Sequence, residues 1–207
     1  MTPSYDAVAA QLASACAGWE GPPISPALLP VRTVGVQGDG RSYSYLAALS
    51  MQGAADAHWP ALLSLAKRIP GSVHEVNRVI FVLGEPIAEA PRTVTPTVLS
   101  KPVVAQLRAA DHIVTQVLTS RGLVRKLAQV PVVLFPVGFG VEGARSIGIR
   151  AFITRDFMTG TPALPGSAAL PLEALAEIHA RILAEVPGIA RVAIDISPKP
   201  PATTEWE

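Results

Sequence analysis

The C-terminal residues 199–207 hold the densest group of side chains that could bind a charged ligand. Lys199 offers an ammonium group, which suits phosphate oxygens as a point charge. Thr203 and Thr204 carry hydroxyl groups that can donate hydrogen bonds, whereas the Glu205 carboxylate can only accept them. This set suits a ligand with an anionic end and a hydrogen-bond-donating end. The same residues also fit an alternative, in which a proline-rich tail only packs against the fold.

Prolines stiffen the segment that leads into this group. The pattern from 192 to 196 predicts an apolar strand, and Pro198, Pro200 and Pro201 follow it. Because proline fixes the backbone angle φ, this loop can be neither a helix nor a central strand, and it loses less entropy when a ligand orders it. Little of the core is expected beyond it, so deletion of residues 203–207 should weaken ligand binding and leave the fold intact.

Five segments carry longer motifs. The tail, residues 195–207, reads Asp-Ile-Ser-Pro-Lys-Pro-Pro-Ala-Thr-Thr-Glu-Trp-Glu. The others are residues 34–43 (Val-Gly-Val-Gln-Gly-Asp-Gly-Arg-Ser-Tyr), 76–79 (Val-Asn-Arg-Val), 152–160 (Phe-Ile-Thr-Arg-Asp-Phe-Met-Thr-Gly) and 186–192 (Val-Pro-Gly-Ile-Ala-Arg-Val). In this order they resemble the C-terminal domain of glutamine-hydrolysing GMP synthases. The resemblance covers roughly residues 28–207 and is most marked for the long form of eukaryotic-type enzymes.

The resemblance implies a set of residues that contact xanthosine monophosphate (XMP). By position in the family motifs these are Arg41, Gln129, Lys199 and Glu205, and Thr203 and Thr204 could add hydroxyl groups. Arg41 and Lys199 suit phosphate oxygens, and Gln129 can both donate and accept hydrogen bonds. Taken singly, Arg41 could be a solvated cation, Gln129 a helix cap and Glu205 a frayed tail residue. Pro198 replaces the usual serine or glycine of the family motif and removes a backbone donor beside the expected phosphate.

The resemblance also implies a function. The chain would bind XMP and complete the synthetase site for the ATP-dependent amination of XMP to GMP. The sequence contains neither the amidotransferase cysteine motif nor the Ser-Gly-Gly-Val-Asp-Ser phosphate loop of the family. We therefore expect no catalytic residue and no cofactor of its own, with ATP and Mg²⁺ held only by a partner subunit that carries the ATP pyrophosphatase and amidotransferase domains. Two alternatives are a free-standing nucleotide-binding or regulatory module and a purely structural dimerisation module.

Composition limits the other function classes. The chain has 207 residues, of which 49% are hydrophobic and 16% charged, so it can bury a core. A net charge of +1 argues against a nucleic-acid or membrane-surface binder. Cys16 is the single cysteine, and the four histidines lack metal-binding spacing, so we expect no disulfide and no metal site. A cytoplasmic location is expected.

Periodicity predicts an α+β fold. Helices are expected at residues 4–16, 57–69, 103–120 and 172–186, and strands at 31–37, 42–51, 76–83, 130–137, 144–157 and 190–196. Residues 18–30 are expected to form a proline-rich linker, and residues 84–97 a long crossover. The predicted regions are an N-terminal helix with linker (1–30), a first unit with its crossover (31–97), and a helix followed by a second unit and the tail (98–207).

The two units form a weak internal repeat. Shifted by 113 positions, residues 31–82 overlie residues 144–195 without a gap, and the identical pairs include Arg78 with Arg191. Each copy is predicted as strand–strand–helix–strand, an antiparallel sheet with helices on one face. Two copies could cover each other as an internal pseudo-dimer, so the chain is expected to be a monomer; chance similarity is the alternative. Arg32, Arg145 and Arg150 are assigned to sheet surfaces or interfaces.

Overall fold

The structure, a computed structural model, describes residues 3–52, 58–156 and 158–207. Its helices are α1 (Tyr5–Cys16), α2 (Trp59–Ser72), α3 (Lys101–Ser120) and α4 (Leu172–Glu185), with a short 3-10 helix at Val124–Lys126. Its strands are β1 (Ile24–Gln37), β2 (Gly40–Met51), β3 (Val76–Val82), β4 (Val132–Phe135), β5 (Arg145–Ile149), β6 (Phe152–Ile153), β7 (Thr161–Pro162) and β8 (Ile189–Asp195). The start of the second predicted helix, Ala57, lies outside the described residues.

One six-stranded sheet, in the order β1-β2-β3-β8-β5-β4, forms the centre of the fold, and β6 and β7 form a separate pair. The α+β prediction is confirmed. The pairing is mostly antiparallel, but β2–β3 and β5–β8 are parallel. A helix joins the strands of each parallel pair, and such a crossover returns the chain in its original direction. The expectation of one wholly antiparallel sheet in each unit is corrected accordingly.

The two units meet edge to edge at the middle of this sheet. There β3 and β8 run antiparallel, with Phe81 opposite Ile194. Helices α2 and α4 have the predicted offset of 113 at both ends, and so do β3 and β8. The preceding strands do not, because Tyr45 lies opposite Val76 where Arg145 lies opposite Ile189. The ungapped alignment therefore holds for the helix and last strand only, and its matches at 53 and 55 lie outside the described residues.

Strand β1 begins at Ile24, within the segment expected to be a linker. Two of the prolines on which that prediction depended, Pro26 and Pro30, lie in this strand. An edge strand tolerates proline because one side of it needs no hydrogen-bond donors. The register also shifts between Leu29 and Arg32, which places Pro30 in an irregular stretch.

The predicted strand 144–157 is interrupted after β5. At Arg150 the backbone N–H donates to the Pro131 carbonyl oxygen (2.9 Å), and Phe152 then pairs with β7. The chain thus leaves the central sheet after Arg150. Phe157, the predicted end of the strand, lies outside the described residues.

The helices pack on one face of the sheet and the tail packs on the other. The larger apolar core includes Leu62, Ile69, Val79 and Ile178 between sheet and helices. A second cluster lies on the opposite face and consists of residues from the strands, the crossover and the tail: Ala27, Leu29, Leu46, Ala48, Ile80, Val82, Ile87, Phe135, Val137, Ala193 and Trp206. Because successive side chains of a strand point to opposite faces of the sheet, the same strands supply residues to both clusters.

Helix α1 belongs to the larger core. The Ser4 hydroxyl accepts a hydrogen bond from the Ala7 N–H and caps the helix, and Val8, Leu12 and Cys16 are buried. Burial raises the pKa of the Cys16 thiol to about 11, against a smaller opposing effect of Arg68. The thiol is therefore neutral at physiological pH and poorly suited to nucleophilic chemistry. Within the described ranges, no helix has the length and apolar character needed to cross a bilayer.

Candidate functional site

A fully buried carboxylate, Asp195, lies between two fully buried arginines at the end of β8. Asp195 Oδ2 is 2.6 Å from Arg78 Nη1, and Asp195 Oδ1 is 2.9 Å from Arg150 Nη1. The Ser197 N–H donates to Oδ1 (2.9 Å), which ties the start of the tail to the same carboxylate. Strands β3 and β8 and the residue that follows β5 supply the three charges, so the middle of the sheet fixes their positions.

Charge and burial act in opposite directions on this cluster. Burial alone would raise the pKa of Asp195, but the charges of Arg150 and Arg78 and the Ser197 N–H outweigh it, so the pKa lies below its usual value. Burial lowers the pKa of Arg78, an effect that Asp195 and Glu205 partly oppose. Asp195 is therefore an anion at neutral pH. Two cations share this one buried carboxylate.

Arg78 binds the tail as well as Asp195. Its Nη2 donates to the Glu205 carbonyl oxygen (2.9 Å) and to the Thr203 hydroxyl (3.1 Å) and carbonyl oxygen (3.2 Å). It also donates to the Val34 carbonyl oxygen of β1 (3.2 Å). One guanidinium thus joins β1, β8 and the C-terminal residues.

The tail runs along β1 and ends in a buried indole. The Val36 N–H donates to the Pro201 carbonyl oxygen (2.7 Å), and the Val34 N–H donates to that of Trp206 (2.8 Å). Trp206 Nε1 donates to Asp195 Oδ2 (3.1 Å), and its ring packs 5.6 Å from that of Phe135. Trp206 therefore anchors the tail in the fold. The expectation that little of the core lies in residues 203–207 is wrong.

Gly148 of β5 leaves room for this indole. A Cβ atom added there would lie 2.8 Å from the Trp206 ring, closer than real side-chain contacts. The requirement for glycine at position 148 is therefore steric, since Trp206 occupies the space in which a side chain would project from β5.

Lys199 and Thr204 are brought together by the tail. Lys199 pairs through its backbone with Gly160, with N–H to oxygen distances of 3.0 and 3.1 Å. Its Nζ donates to the Thr204 hydroxyl (3.3 Å). The half-buried ammonium is thus held beside a hydroxyl group.

The structure places Arg41 one strand away from the tail. Arg41 is exposed on β2, opposite Val36, whose N–H binds the tail at Pro201. Neighbouring strands lie about 5 Å apart. The tip of the β1–β2 hairpin and the tail therefore approach each other, with β1 between Arg41 and the tail backbone.

Gln129 and Glu205 both have exposed side chains. Exposed Gln129 pairs through its backbone with Phe152, where the Phe152 N–H donates to the Gln129 carbonyl oxygen (3.0 Å). The Phe152 ring packs against Gly160, the backbone partner of Lys199. Glu205 has an exposed side chain on a backbone held by Arg78. Its carboxylate is therefore available to solvent on a fixed segment.

A polar turn lies next to Lys199. Asp156 Oδ1 accepts from the N–H groups of Thr159 (2.9 Å) and Met158 (3.0 Å). These bonds, with that of Thr159 the strongest, lower the pKa of Asp156. The turn leads directly into Gly160, so a stable Asp156 anion helps to fix the residue that pairs with Lys199.

Sequence reasoning missed the buried charges. Arg150, assigned to a sheet surface or interface, is fully buried, and that assignment is wrong. Arg78 and Asp195 lie within recognised motifs, but 117 positions separate them, and a single sequence gives no sign that they pair. The sequence feature that could have revealed these buried charges is an arginine within an otherwise apolar strand. A cation that is buried there needs an anionic partner.

Two cavities lie on the described surface. One of about 750 Å³ is lined by residues 86–96, 138–143 and Arg191, and another of about 500 Å³ lies beside Glu205 and Trp206. Arg41, Gln129 and Lys199 line neither. The described residues contain no group of three or more potential metal ligands.

Comparisons with known proteins point to one family. Residues 116–206 match the family model described as GMP synthase C terminal domain. The GMP synthase [glutamine-hydrolyzing] of Dictyostelium discoideum is 46% identical over 195 residues, which are 88% of this chain and 27% of that protein. The probable GMP synthase of Caenorhabditis elegans is 42% identical over 200 residues, 89% of this chain and 27% of that protein.

A bacterial relative matches a shorter part of the chain. The GMP synthase of Thermus thermophilus is 46% identical over 107 residues, which cover 49% of this chain and 20% of that protein. The chain spans 27% of the length of the two eukaryotic relatives.

Proposed function

Because the chain belongs to the GMP synthase C-terminal domain family, we propose that it binds XMP and completes a synthetase active site. The partner carries the ATP pyrophosphatase and amidotransferase domains, and the overall reaction is the ATP-dependent amination of XMP to GMP in cytoplasmic purine biosynthesis. The observation that supports this most directly is the anchored tail. The Arg78–Asp195 pair holds the backbone on which Lys199, Thr204 and Glu205 lie.

Each predicted residue has a role that its chemistry allows. Lys199 and Arg41 neutralise the phosphate group, one as a point charge and the other as a planar fork. Thr204, already bonded to the Lys199 ammonium, donates to a phosphate oxygen. Glu205 accepts from an N–H or O–H group of the nucleotide, and Gln129 donates or accepts at the opposite end.

The chain's contribution to the reaction is positioning. The partner binds ATP and Mg²⁺ and transfers adenylate to the base oxygen with release of pyrophosphate, after which ammonia displaces AMP. Holding XMP in one orientation makes both steps effectively unimolecular and lowers their entropic cost. The chain alone releases no AMP from ATP and hydrolyses no glutamine.

Replacing Lys199 or Arg41 tests the phosphate site. Lys199→Ala and Arg41→Ala should each weaken XMP binding by about 1.5–3 kcal/mol, the range for hydrogen bonds to charged groups. Titration calorimetry with XMP, AMP and inorganic phosphate, with and without the partner domains, measures the effect. Lys101→Ala and Arg108→Ala, at exposed positions of α3, are matched controls and should leave binding unchanged.

The outcomes separate the rival functions. XMP that binds no better than inorganic phosphate in every setting, or unchanged binding by both variants, would favour a purely structural module. Tight XMP binding that does not affect the partner's ATP turnover would favour a free-standing regulatory module. Binding to the isolated chain is expected to be weak, since a shared site lacks part of its desolvation.

We also propose that the chain is a monomer. The edge of β3 that a second copy could pair with is occupied by β8 of the same chain, with Phe81 opposite Ile194. Light scattering at micromolar concentration should therefore give the mass of one chain. A tight dimer would contradict this and would point to another surface, such as that of α3.

A further inference from the structure

The buried cluster around Asp195 carries one positive charge more than it can neutralise internally. Arg78, Arg150 and Asp195 are all fully buried, and Asp195 is the one carboxylate that forms described ion pairs with either arginine. Arg78 has further acceptors in the tail, including the Glu205 carbonyl oxygen. Arg150 depends on Asp195 and the Ser197 carbonyl oxygen (3.1 Å).

Arg150 also keeps donors that nothing in the described structure satisfies. Its Nε and Nη2 are buried and lack a hydrogen-bond partner among the described residues. Leaving a buried donor unpaired costs about 1–3 kcal/mol, and more for charged groups. A domain selected for stability alone would be expected to satisfy such groups or to replace the cluster with apolar side chains.

Two sets of contacts connect Arg150 to the tail. Through Nη1 it holds the carbonyl oxygen of Ser197, two residues before Lys199. Its guanidinium carbon lies 4.8 Å from the centre of the Phe152 ring, and that ring packs against Gly160. Gly160 in turn pairs with the Lys199 backbone. Both connections end at Lys199.

We propose that Arg150 is a positioning residue for the phosphate group of the nucleotide. The excess positive charge of the cluster to which it belongs makes the site beneath the Lys199 segment electropositive, and the contacts of Arg150 hold that segment in place. A buried charge acts through a medium of low dielectric constant and is little screened by salt, so it attracts an anion without touching it. The inference rests on the proposed binding of XMP and adds a residue that makes no contact with the ligand.

Charge and shape can be separated by two substitutions. Arg150→Gln removes the charge and keeps a donor for the Ser197 carbonyl oxygen, whereas Arg150→Lys keeps the charge and loses the planar fork. The probes are XMP and xanthosine, which share base and sugar and differ in the phosphate. The measured quantity is the ratio of the xanthosine and XMP dissociation constants, with urea unfolding recorded for each variant.

Arg150→Gln should lower this ratio by about tenfold, the size expected for a unit charge acting through protein over a distance on the order of 10 Å. Arg150→Lys should keep the ratio near that of the unsubstituted chain. Arg145→Gln, at the start of the strand that leads to Arg150 but partly exposed and bound to Thr97 (2.8 Å), is the matched control and should not change the ratio.

Opposite results would assign Arg150 a structural role only. Such results are an unchanged ratio in folded Arg150→Gln despite lower stability, or a tenfold lower ratio in folded Arg150→Lys. Either variant decides the question if the other does not fold. Failure of the unsubstituted chain to prefer XMP over xanthosine would instead overturn the proposed function, and this inference with it.

Discussion

Replacing Asp195 with alanine is expected to lower the free energy of unfolding by about 3–5 kcal/mol, the cost of breaking a buried ion pair. The substitution would leave Arg78 and Arg150 buried without an anion and would remove the acceptor of the Trp206 indole. Urea denaturation followed by far-UV circular dichroism measures the change. Asp195→Asn keeps the shape of the side chain and shows how much of the loss is due to charge.

The control is an ion pair that is exposed to solvent. Arg181 and Glu185 form an exposed pair within α4, 2.6 Å apart, and Glu185→Gln should change stability little. If Asp195→Ala unfolded at the same urea concentration as the original chain, the buried pair would contribute nothing net. The tail would then be held by its backbone hydrogen bonds to β1 and by apolar packing.

The same carboxylate should make the fold sensitive to acid. Asp195 has a lower pKa in the folded state than in the unfolded state, so its contribution is complete above its unfolded pKa of about 3.9. The contribution is lost as pH falls through the folded value. Urea midpoints should therefore drop steeply below about pH 4, and in Asp195→Asn this part of the drop should be absent. A parallel decline in both chains would assign the acid sensitivity to other groups.

Local pattern was enough to predict the regular parts of the fold. Helices α3 and α4 follow from apolar residues at helical spacing, and both lie within two residues of their predicted bounds. Gly122, with φ of 66°, follows the C-cap of α3, a position that favours glycine. The motifs at residues 34–43 and 195–207 identified two segments that lie together in the structure, the β1–β2 hairpin and the tail. These features depend on neighbours in sequence, which a single chain displays.

Features that depend on distant neighbours could not be predicted in the same way. Whether Pro26 forbids a strand depends on its being at a sheet edge, and sheet order is not visible in the residues around it. Arg150 looked like a surface cation because its partner, Asp195, lies far along the chain. The orientation of Trp206 depends on the space above Gly148. Each of these is a tertiary effect that overrides local pattern.

Deletion of residues 203–207 is expected to destabilise the fold as well as abolish the proposed XMP binding. Trp206 is buried in the second apolar cluster, and truncating it to alanine alone should cost about 3–5 kcal/mol. The deletion also removes the Thr203 and Glu205 acceptors of Arg78, a buried cation that would lose much of its hydrogen bonding. Thermal and urea unfolding of the truncated chain measure the combined effect.

This double role decides how tail variants must be interpreted. Loss of XMP binding after deletion or after Trp206→Ala would follow from unfolding and could not be assigned to ligand contacts. Glu205→Gln is the informative variant, because the Glu205 side chain is exposed while Arg78 binds its backbone. It should weaken XMP binding with an unchanged urea midpoint, and deletion of exposed Glu207 alone should change neither. A deletion of 203–207 that left the unfolding midpoint unchanged would mean that the indole adds no stability. The tail would then serve only in ligand binding, and the fold would be complete without it.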